Sequence, residues 1–201
     1  MGTLAIMGFA AEDNLRSVAQ ALGKGEPAAL ARVAERNAKQ PRLRAEIEEQ
    51  IVEELAQMPS GADASRKLLL ASRVARLFES MGARTVEIAQ LSAHVLCDLR
   101  PSRLADIRKL IEHAVYITDR AATGLVEEDL EMARIAQEQT LAATVLWTNI
   151  RRELTAFAQQ PNGDTTRICL LTGIANRAHE MIEGASRLAT DVIALLERVD
   201  G

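Results

Sequence analysis

The chain has 201 residues and a formal net charge of −4, with 48% hydrophobic and 26% charged residues. These proportions are typical of a globular protein that is long enough to bury a core, and the scattered, net negative charge excludes the clustered basic surface that nucleic-acid binding requires. Only 2% of the residues are aromatic, so alanine and aliphatic side chains must build the core, which favours packed helices.

Helical periodicity runs through most of the chain and is interrupted at a few glycines and prolines, which predicts an all-α fold. Pro41 falls inside the second helix and is expected to kink or split it, because proline lacks an N–H and its ring clashes with the preceding turn. Asp63 and Ser102 are predicted to cap the third and fourth helices. The six predicted helices span about 4–22, 27–58, 64–96, 103–122, 127–158 and 165–199.

Two short segments recur with the same displacement along the chain. The sequence Ala-Arg-Val-Ala at 31–34 returns as Ala-Arg-Ile-Ala at 133–136, and the turn at 59–61 returns at 161–163 as Pro-Asn-Gly. A displacement shared by a helix and a turn indicates an internal duplication. We therefore predict two tandem three-helix bundles that meet near residues 97 to 102. The two predicted repeats are residues 1–97 and 102–201.

The third and sixth predicted helices carry related motifs. Residues 78–90 read FESMGARTVEIAQ, and residues 178–193 read AHEMIEGASRLATDVI. Both resemble the hallmark of the PhoU family of phosphate-uptake regulators, which has the form Leu-Glu-Arg-Ile-Gly-Asp-His-Ala-x-Asn-Ile-Ala-Glu. In order and spacing the chain resembles that family over nearly its whole length. The resemblance implies two tandem three-helix bundles and a regulatory role.

By this resemblance, the protein is expected to be an adaptor that regulates phosphate transport and phosphate signalling. Its implied partners are the ATPase subunit of a phosphate transporter, a sensor histidine kinase, or both, and we expect a homodimer. No apolar run approaches the roughly 18 residues that cross a bilayer, so we expect a cytoplasmic protein that meets membranes only through its partners. An alternative is an excised cytosolic PhoU-like domain of a sodium–phosphate cotransporter, which a helix beginning close to Met1 suits. The partner-binding residues stay unknown.

The resemblance also indicates where a metal would bind. Members with the full motif place a Glu and an Asp four residues apart on one helical face, where carboxylates from neighbouring helices converge on metal clusters. Here Glu79 has Ala83 in place of its Asp, and the second half has His179 and Glu183. The second helices offer few carboxylates at the expected positions, which hold Asn37 and Pro41 in one half and Gln139 or Thr140 with Ala143 or Thr144 in the other.

We therefore expect no cofactor and no stoichiometric metal, because neutral oxygens are weak ligands without carboxylates to balance a cation. If a metal did bind, Glu79, His179 and Glu183 would be its ligands, and a metal-binding sensor or storage protein is the alternative of a different class. We interpret Glu79 as a solvated or ion-paired surface acid and His179 with Glu183 as a hydrogen-bonded pair on a helix surface. Replacing both His179 and Glu183 by alanine is then expected to leave the fold nearly unchanged.

No catalytic signature appears in the sequence, and we expect no enzyme. There is no Gly-x-Ser-x-Gly elbow and no phosphate-cradling glycine-rich loop, and the HExxH of zinc proteases is matched at 179–183 only without its second histidine. Cys97 and Cys169 lie in apolar helical runs and are interpreted as buried thiols. Trp147 and Tyr116 are expected to pack within the bundles, and His94 and His113 to be packing or surface residues.

Overall fold

A computed structural model describes residues 2–57, 62–97, 104–160 and 164–197, and these ranges are helical with no strand. The prediction of an all-α fold is confirmed. The described helices are α1 (Gly2–Lys24), α2 (Ala28–Asn37), α3 (Gln40–Gln57), α4 (Ala62–Leu96), α5 (Ala105–Val126), α6 (Leu130–Ala158) and α7 (Thr165–Leu196).

Each half of the chain forms a three-helix bundle. In the first, α1, the α2–α3 pair and α4 pack together, and in the second α5, α6 and α7 do so. The bundles join because α4 also packs on α7 and α1 on α5, so these four helices form a central layer with α2–α3 on one side and α6 on the other. The predicted pair of three-helix bundles is confirmed. Where one repeat ends and the next begins stays a prediction, since residues 98–103 lie outside the described residues.

The position of α1 in this layer follows from its apolar spacing. Its buried apolar residues recur every three or four positions, which places them on one broad stripe that faces the neighbouring helices. They include Leu4, Met7, Ala11, Leu15, Val18 and Leu22. This stripe is wide enough to pack against both α4 and α5.

Pro41 splits the second predicted helix in two, which confirms that expectation. The first segment, α2, ends at Asn37, and α3 begins at Gln40. Pro41 is the second residue of α3, where a missing N–H costs no intrahelical hydrogen bond. The matching helix of the second bundle, α6, has no proline and runs unbroken for 29 residues. After the break α3 packs mainly on α4 and diverges from α1.

Side chains cap two of the helices of the second bundle. The carboxylate of Asp129 accepts hydrogen bonds from the backbone N–H groups of Glu131 and Met132, at 2.9 and 3.1 Å. Asp164 accepts one from Arg167 at 3.1 Å. The predicted cap at Asp63 is wrong, because α4 begins one residue earlier, at Ala62. The cap predicted at Ser102 lies outside the described residues.

The turn between α5 and α6 is tight and contains a strained residue. A β-carbon on Gly124 would lie 3.0 Å from the backbone N of Ala133 and 3.1 Å from the carbonyl O of Asp129, so a larger residue there would require the backbone of the turn to shift. Glu128 adopts φ 54°, in the left-handed region. A side chain with a β-carbon is unfavourable in that conformation.

We predict that Glu128→Gly stabilises the protein by about 1 kcal/mol, because glycine adopts a positive φ without steric cost. Urea denaturation with an unchanged m-value would show it. Glu127→Gly is the matched control, since Glu127 has φ −94° and glycine there only adds freedom to the unfolded chain. If Glu128→Gly is no more stable than Glu127→Gly, the inference that the backbone at Glu128 is strained is wrong.

Candidate functional site

The two motif positions lie in equivalent places in the two bundles. Glu79 Oε2 is 2.8 Å from Arg44 Nε, which joins α4 to α3. His179 Nε2 is 3.5 Å from Thr144 Oγ1, which joins α7 to α6, and these partners are 35 residues apart, the same separation as Arg44 and Glu79. Each motif position therefore faces the second helix of its own bundle, and the internal repeat is visible in three dimensions.

In the first bundle, Glu79 belongs to a chain of alternating charges. Arg44 also donates to Glu48 at 2.6 Å, and Arg76 donates to the other oxygen of Glu48 at 3.1 Å. Burial raises the pKa of Glu48, but the hydrogen bonds from Arg76 and Arg44 outweigh it and lower the pKa overall. The ion pair that the sequence predicts for Glu79 is present. Its partner is the guanidinium of Arg44, so a positively charged group occupies the position beside Glu79 that a further metal ligand would need.

The residues around Gly82 explain the glycine–alanine pair of this motif. A β-carbon on Gly82 would collide with the side-chain oxygen of Asn37. Glycine at this position therefore lets the end of α2 pack closely against α4. Ala83 is exposed. The family resemblance pointed to Asn37 and Pro41 as the positions that face the motif. Asn37 does lie against Gly82, but Arg44 is the residue that reaches Glu79. The matching spacing of Thr144 and His179 is the signal that would have identified Arg44.

In the second bundle, His179 is buried, with only 8% of its surface exposed. Its ring stacks on Trp147 of α6 with centroids 3.9 Å apart and an interplanar angle of 11°. Arg151 lies over the Trp147 ring at 4.8 Å, and Trp147 Nε1 donates to Asn176 Oδ1 at 3.2 Å. The packing role predicted for Trp147 is confirmed. The surface position predicted for His179 is wrong, because the indole covers the imidazole.

The predicted hydrogen bond between His179 and Glu183 is also absent. Their closest atoms, Nδ1 and Oε1, are 3.9 Å apart, which exceeds hydrogen-bond distance. Burial lowers the pKa of His179, the carboxylates of Glu183 and Glu180 raise it, and Arg151 lowers it, with a net lowered pKa. The structure therefore favours a neutral imidazole in this stack.

A second charge network lies along the contact between α4 and α7. Arg84 Nε donates to Glu180 Oε2 at 2.8 Å, and Arg177 donates to the same carboxylate and contacts Glu87. Burial raises the pKa of Glu180, but the hydrogen bonds from Arg84 and Arg177 outweigh it and lower the pKa. These side chains link the two bundles with complementary charges.

A metal cluster of the kind the family motif implies does not fit these residues. Among the described residues, no group of three or more His, Cys, Asp or Glu side chains converges on one point. Glu79 faces a guanidinium, and His179 faces a hydroxyl and an indole ring. The other expected positions give no replacement: Ala143 is buried, Thr140 donates to a carbonyl of its own helix, and Gln139 lines a groove with residues of α5.

Three other expectations need correction. Cys97 and Cys169 are exposed rather than buried, because Cys97 follows the last turn of α4 and Cys169 points away from the side on which its neighbour Ile168 is buried. Tyr116 is 41% exposed on α5, where Arg120 lies over its ring at 5.1 Å. None of these side chains is part of either motif position.

Residues 4–92 match the family model of the PhoU domain. The first three-helix bundle is therefore similar to the PhoU domain. No described helix is both long and apolar enough to span a membrane. No curated protein sequence matches the chain.

Solved structures extend the likeness beyond the matched residues. The crystal structure of PhoU from Pseudomonas aeruginosa superposes with a TM-score of 0.89 and 16% identity, covering 98% of this chain and 95% of that one. The phosphate transport system regulatory protein PhoU from Streptococcus pneumoniae gives a TM-score of 0.82 and 9% identity, with coverage of 96% and 91%. The second bundle thus shares the PhoU fold, although the family match ends at residue 92.

The lowered pKa of His179 predicts a pH dependence of stability. Below pH 6.5, the ordinary pKa of histidine, His179 binds a proton in the unfolded chain more readily than in the folded protein. The contribution of the neutral His179 to the free energy of unfolding is therefore fully present above pH 6.5, and it is lost as the pH falls toward the lower pKa of the folded state. We expect His179→Gln to flatten this decline in urea titrations between about pH 8 and about pH 5. His94→Gln, at an exposed histidine, is the control and should keep the wild-type slope.

The buried stack also revises the expectation for alanine at His179. We now predict that His179→Ala destabilises the protein by about 1 to 3 kcal/mol, since it leaves a cavity beside Trp147, while Glu183→Ala, at a half-exposed side chain, stays within about 0.5 kcal/mol. Thermal and urea unfolding of the two single variants would separate these effects. Equal stability of the His179→Ala and Glu183→Ala variants would contradict a stabilising stack between His179 and Trp147.

Metal content is a separate prediction. We expect the purified protein to carry no stoichiometric iron or zinc by elemental analysis, because the Arg44 guanidinium pairs with both Glu79 and Glu48 and no group of three or more ligands converges among the described residues. The matched positive control is the double variant Arg44→Glu with Ala83→Asp, which removes the guanidinium and restores the acid pair, and which we expect to gain metal. Stoichiometric metal in the wild type, lost in His179→Ala, would instead support a metal sensor.

Proposed function

We propose that this PhoU-domain protein is a cytoplasmic adaptor that regulates phosphate transport and phosphate signalling. Its proposed partners are the ATPase subunit of a phosphate transporter, a sensor histidine kinase, or both. The supporting observation is the match of residues 4–92 to the PhoU domain, together with a PhoU fold over 98% of the chain. Regulation of phosphate transport is the role that this family implies.

The described surface favours action by protein contact. Glu79 forms an ion pair with Arg44, and His179 stacks on Trp147. These internal contacts support a structural role for both motif residues. Long antiparallel helices leave grooves between α1 and α5 and between α4 and α7, a geometry that suits the side chains of a partner helix. In this proposal the contact does not depend on a metal, because internal partners occupy both motif positions.

We also propose that the protein works as a homodimer, as the sequence resemblance implies. Light scattering over a wide concentration range tests this, and a monomer mass throughout would contradict it. A cotransporter domain is the alternative if the chain proves to be part of a longer protein with membrane spans.

Co-purification tests the proposed partners. We predict that the tagged protein retains the phosphate-transporter ATPase subunit or the kinase from the same genome, and does not retain the ATPase subunit of a transporter for another solute. Deletion of its gene should raise a phosphate-starvation reporter when phosphate is plentiful. Retention of neither partner, with no change in the reporter, would contradict the proposal.

A further inference from the structure

An apolar cleft opens where α3 diverges from α1. It has a volume of about 360 Å³, within the range of sites that accept a ligand or an anchoring side chain. The cleft lies between the start of α1, the end of α3, the start of α4 and the ends of α5 and α7. Its apolar lining consists of Leu4, Ile47, Ile51, Leu68, Leu70, Ala71, Leu125, Val192, Leu195 and Leu196.

Exposed apolar side chains gather at the same end of the molecule. Among the described residues, five exposed large hydrophobic residues lie within two positions, along the chain, of a residue that lines the cleft. Exposed apolar side chains beside a cleft are typical of a protein interaction site. The five are Ile6 (57% exposed), Val52 (66%), Leu55 (38%), Leu69 (58%) and Val126 (37%).

The rim of the cleft is acidic. Among the side chains that the structure describes, Glu54 and Glu128 line it together with one cation, Lys67, and Glu53 and Glu127, next to them in the chain, are exposed. Within the described ranges none of these five side chains forms an ion pair, so their charges are available to a partner. Glu128 is also the residue held at φ 54°, and backbone strain of this kind clusters at functional positions.

We propose that this cleft is the docking site for a basic amphipathic helix of a partner protein. Apolar side chains at positions i, i+3 or i+4 and i+7 of that helix enter the cleft, and its lysines or arginines meet Glu54 and Glu128. This inference rests on the proposed function in one respect, namely that the helix in the cleft belongs to a protein that this protein regulates.

The rim charge argues against two other occupants. A second copy of the chain in a two-fold contact would set one acidic rim against another, which is repulsive. An anionic membrane surface would be repelled by the same carboxylates.

Fluorescence anisotropy with a labelled model peptide tests the docking site. The probe is a helical peptide of leucine and lysine in an amphipathic pattern, and its counterpart replaces every lysine by glutamate. We expect saturable one-to-one binding of the basic peptide and at least about tenfold weaker binding of the acidic one.

Two variants of the cleft have matched controls, and a third tests the rim without destabilising the fold. Ala71→Phe fills the cleft and Glu54→Lys reverses a rim charge, and each should weaken binding about tenfold. Ala142→Phe and Glu153→Lys make the same changes at exposed positions on α6 and should bind like the wild type. Glu128→Gly removes a rim carboxylate while relieving strain, so weaker binding by this more stable variant cannot come from misfolding.

Several results would overturn the inference. They are equal peptide binding by the wild type and Ala71→Phe, a dimer that Ala71→Phe dissociates, and binding to phosphatidylglycerol vesicles that Ala71→Phe abolishes. If Ala71→Phe still retains the transporter ATPase or the kinase, the docking site is wrong while the proposed function stands. If the basic peptide binds selectively and neither partner is retained, the cleft stands and the proposed function fails.

Discussion

The packing of α4 against α7 is the contact on which the rest of the structure depends. Met81, Thr85 and Met181 are buried there. Gly173 and Gly184 make room for leucines of the other bundle, since a β-carbon on them would lie only 3.1 Å from Leu91 and 3.0 Å from Leu77. Each of these helices is apolar on more than one side, so neither bundle could cover its own third helix alone. The two halves are therefore folding partners as well as repeats, and the arginine–glutamate network at the edge of this contact sets their register.

This contact determines which way the motif residues face. With one side of α4 and α7 committed to the other bundle, Glu79 and His179 lie on the side that faces the second helix of their own bundle. The surroundings there differ between the halves, with a guanidinium in the first and a stacked indole in the second. Equivalent backbone positions thus hold an ionic contact in one bundle and an aromatic contact in the other, which shows how a duplicated fold keeps its geometry while its chemistry changes.

The proline inside the second predicted helix, Pro41, accounts for the main asymmetry between the bundles. Helix α6 is continuous and packs along its whole bundle. The α2–α3 pair instead turns at residues 38 and 39, after which α3 diverges from α1. The space that opens is lined by the same aliphatic residues that elsewhere build the core, and it is bordered by unpaired carboxylates. A local rule of backbone chemistry, the missing N–H and fixed φ of proline, thus accounts for the cleft beside α3.

Composition and apolar periodicity were enough to predict the helices, the break at Pro41 and the pairing of two three-helix bundles, because these depend on local backbone preferences and on spacing along one helix. The motif residues, and the loss of the acid at Ala83, were found from the resemblance to the PhoU family. Their neighbours were not, since the partners Arg44 and Trp147 come from other helices whose rotation about their axes is decided by packing. The burial of His179, the exposure of both cysteines and the cleft beside α3 depend on those rotations, so only the tertiary structure decided them.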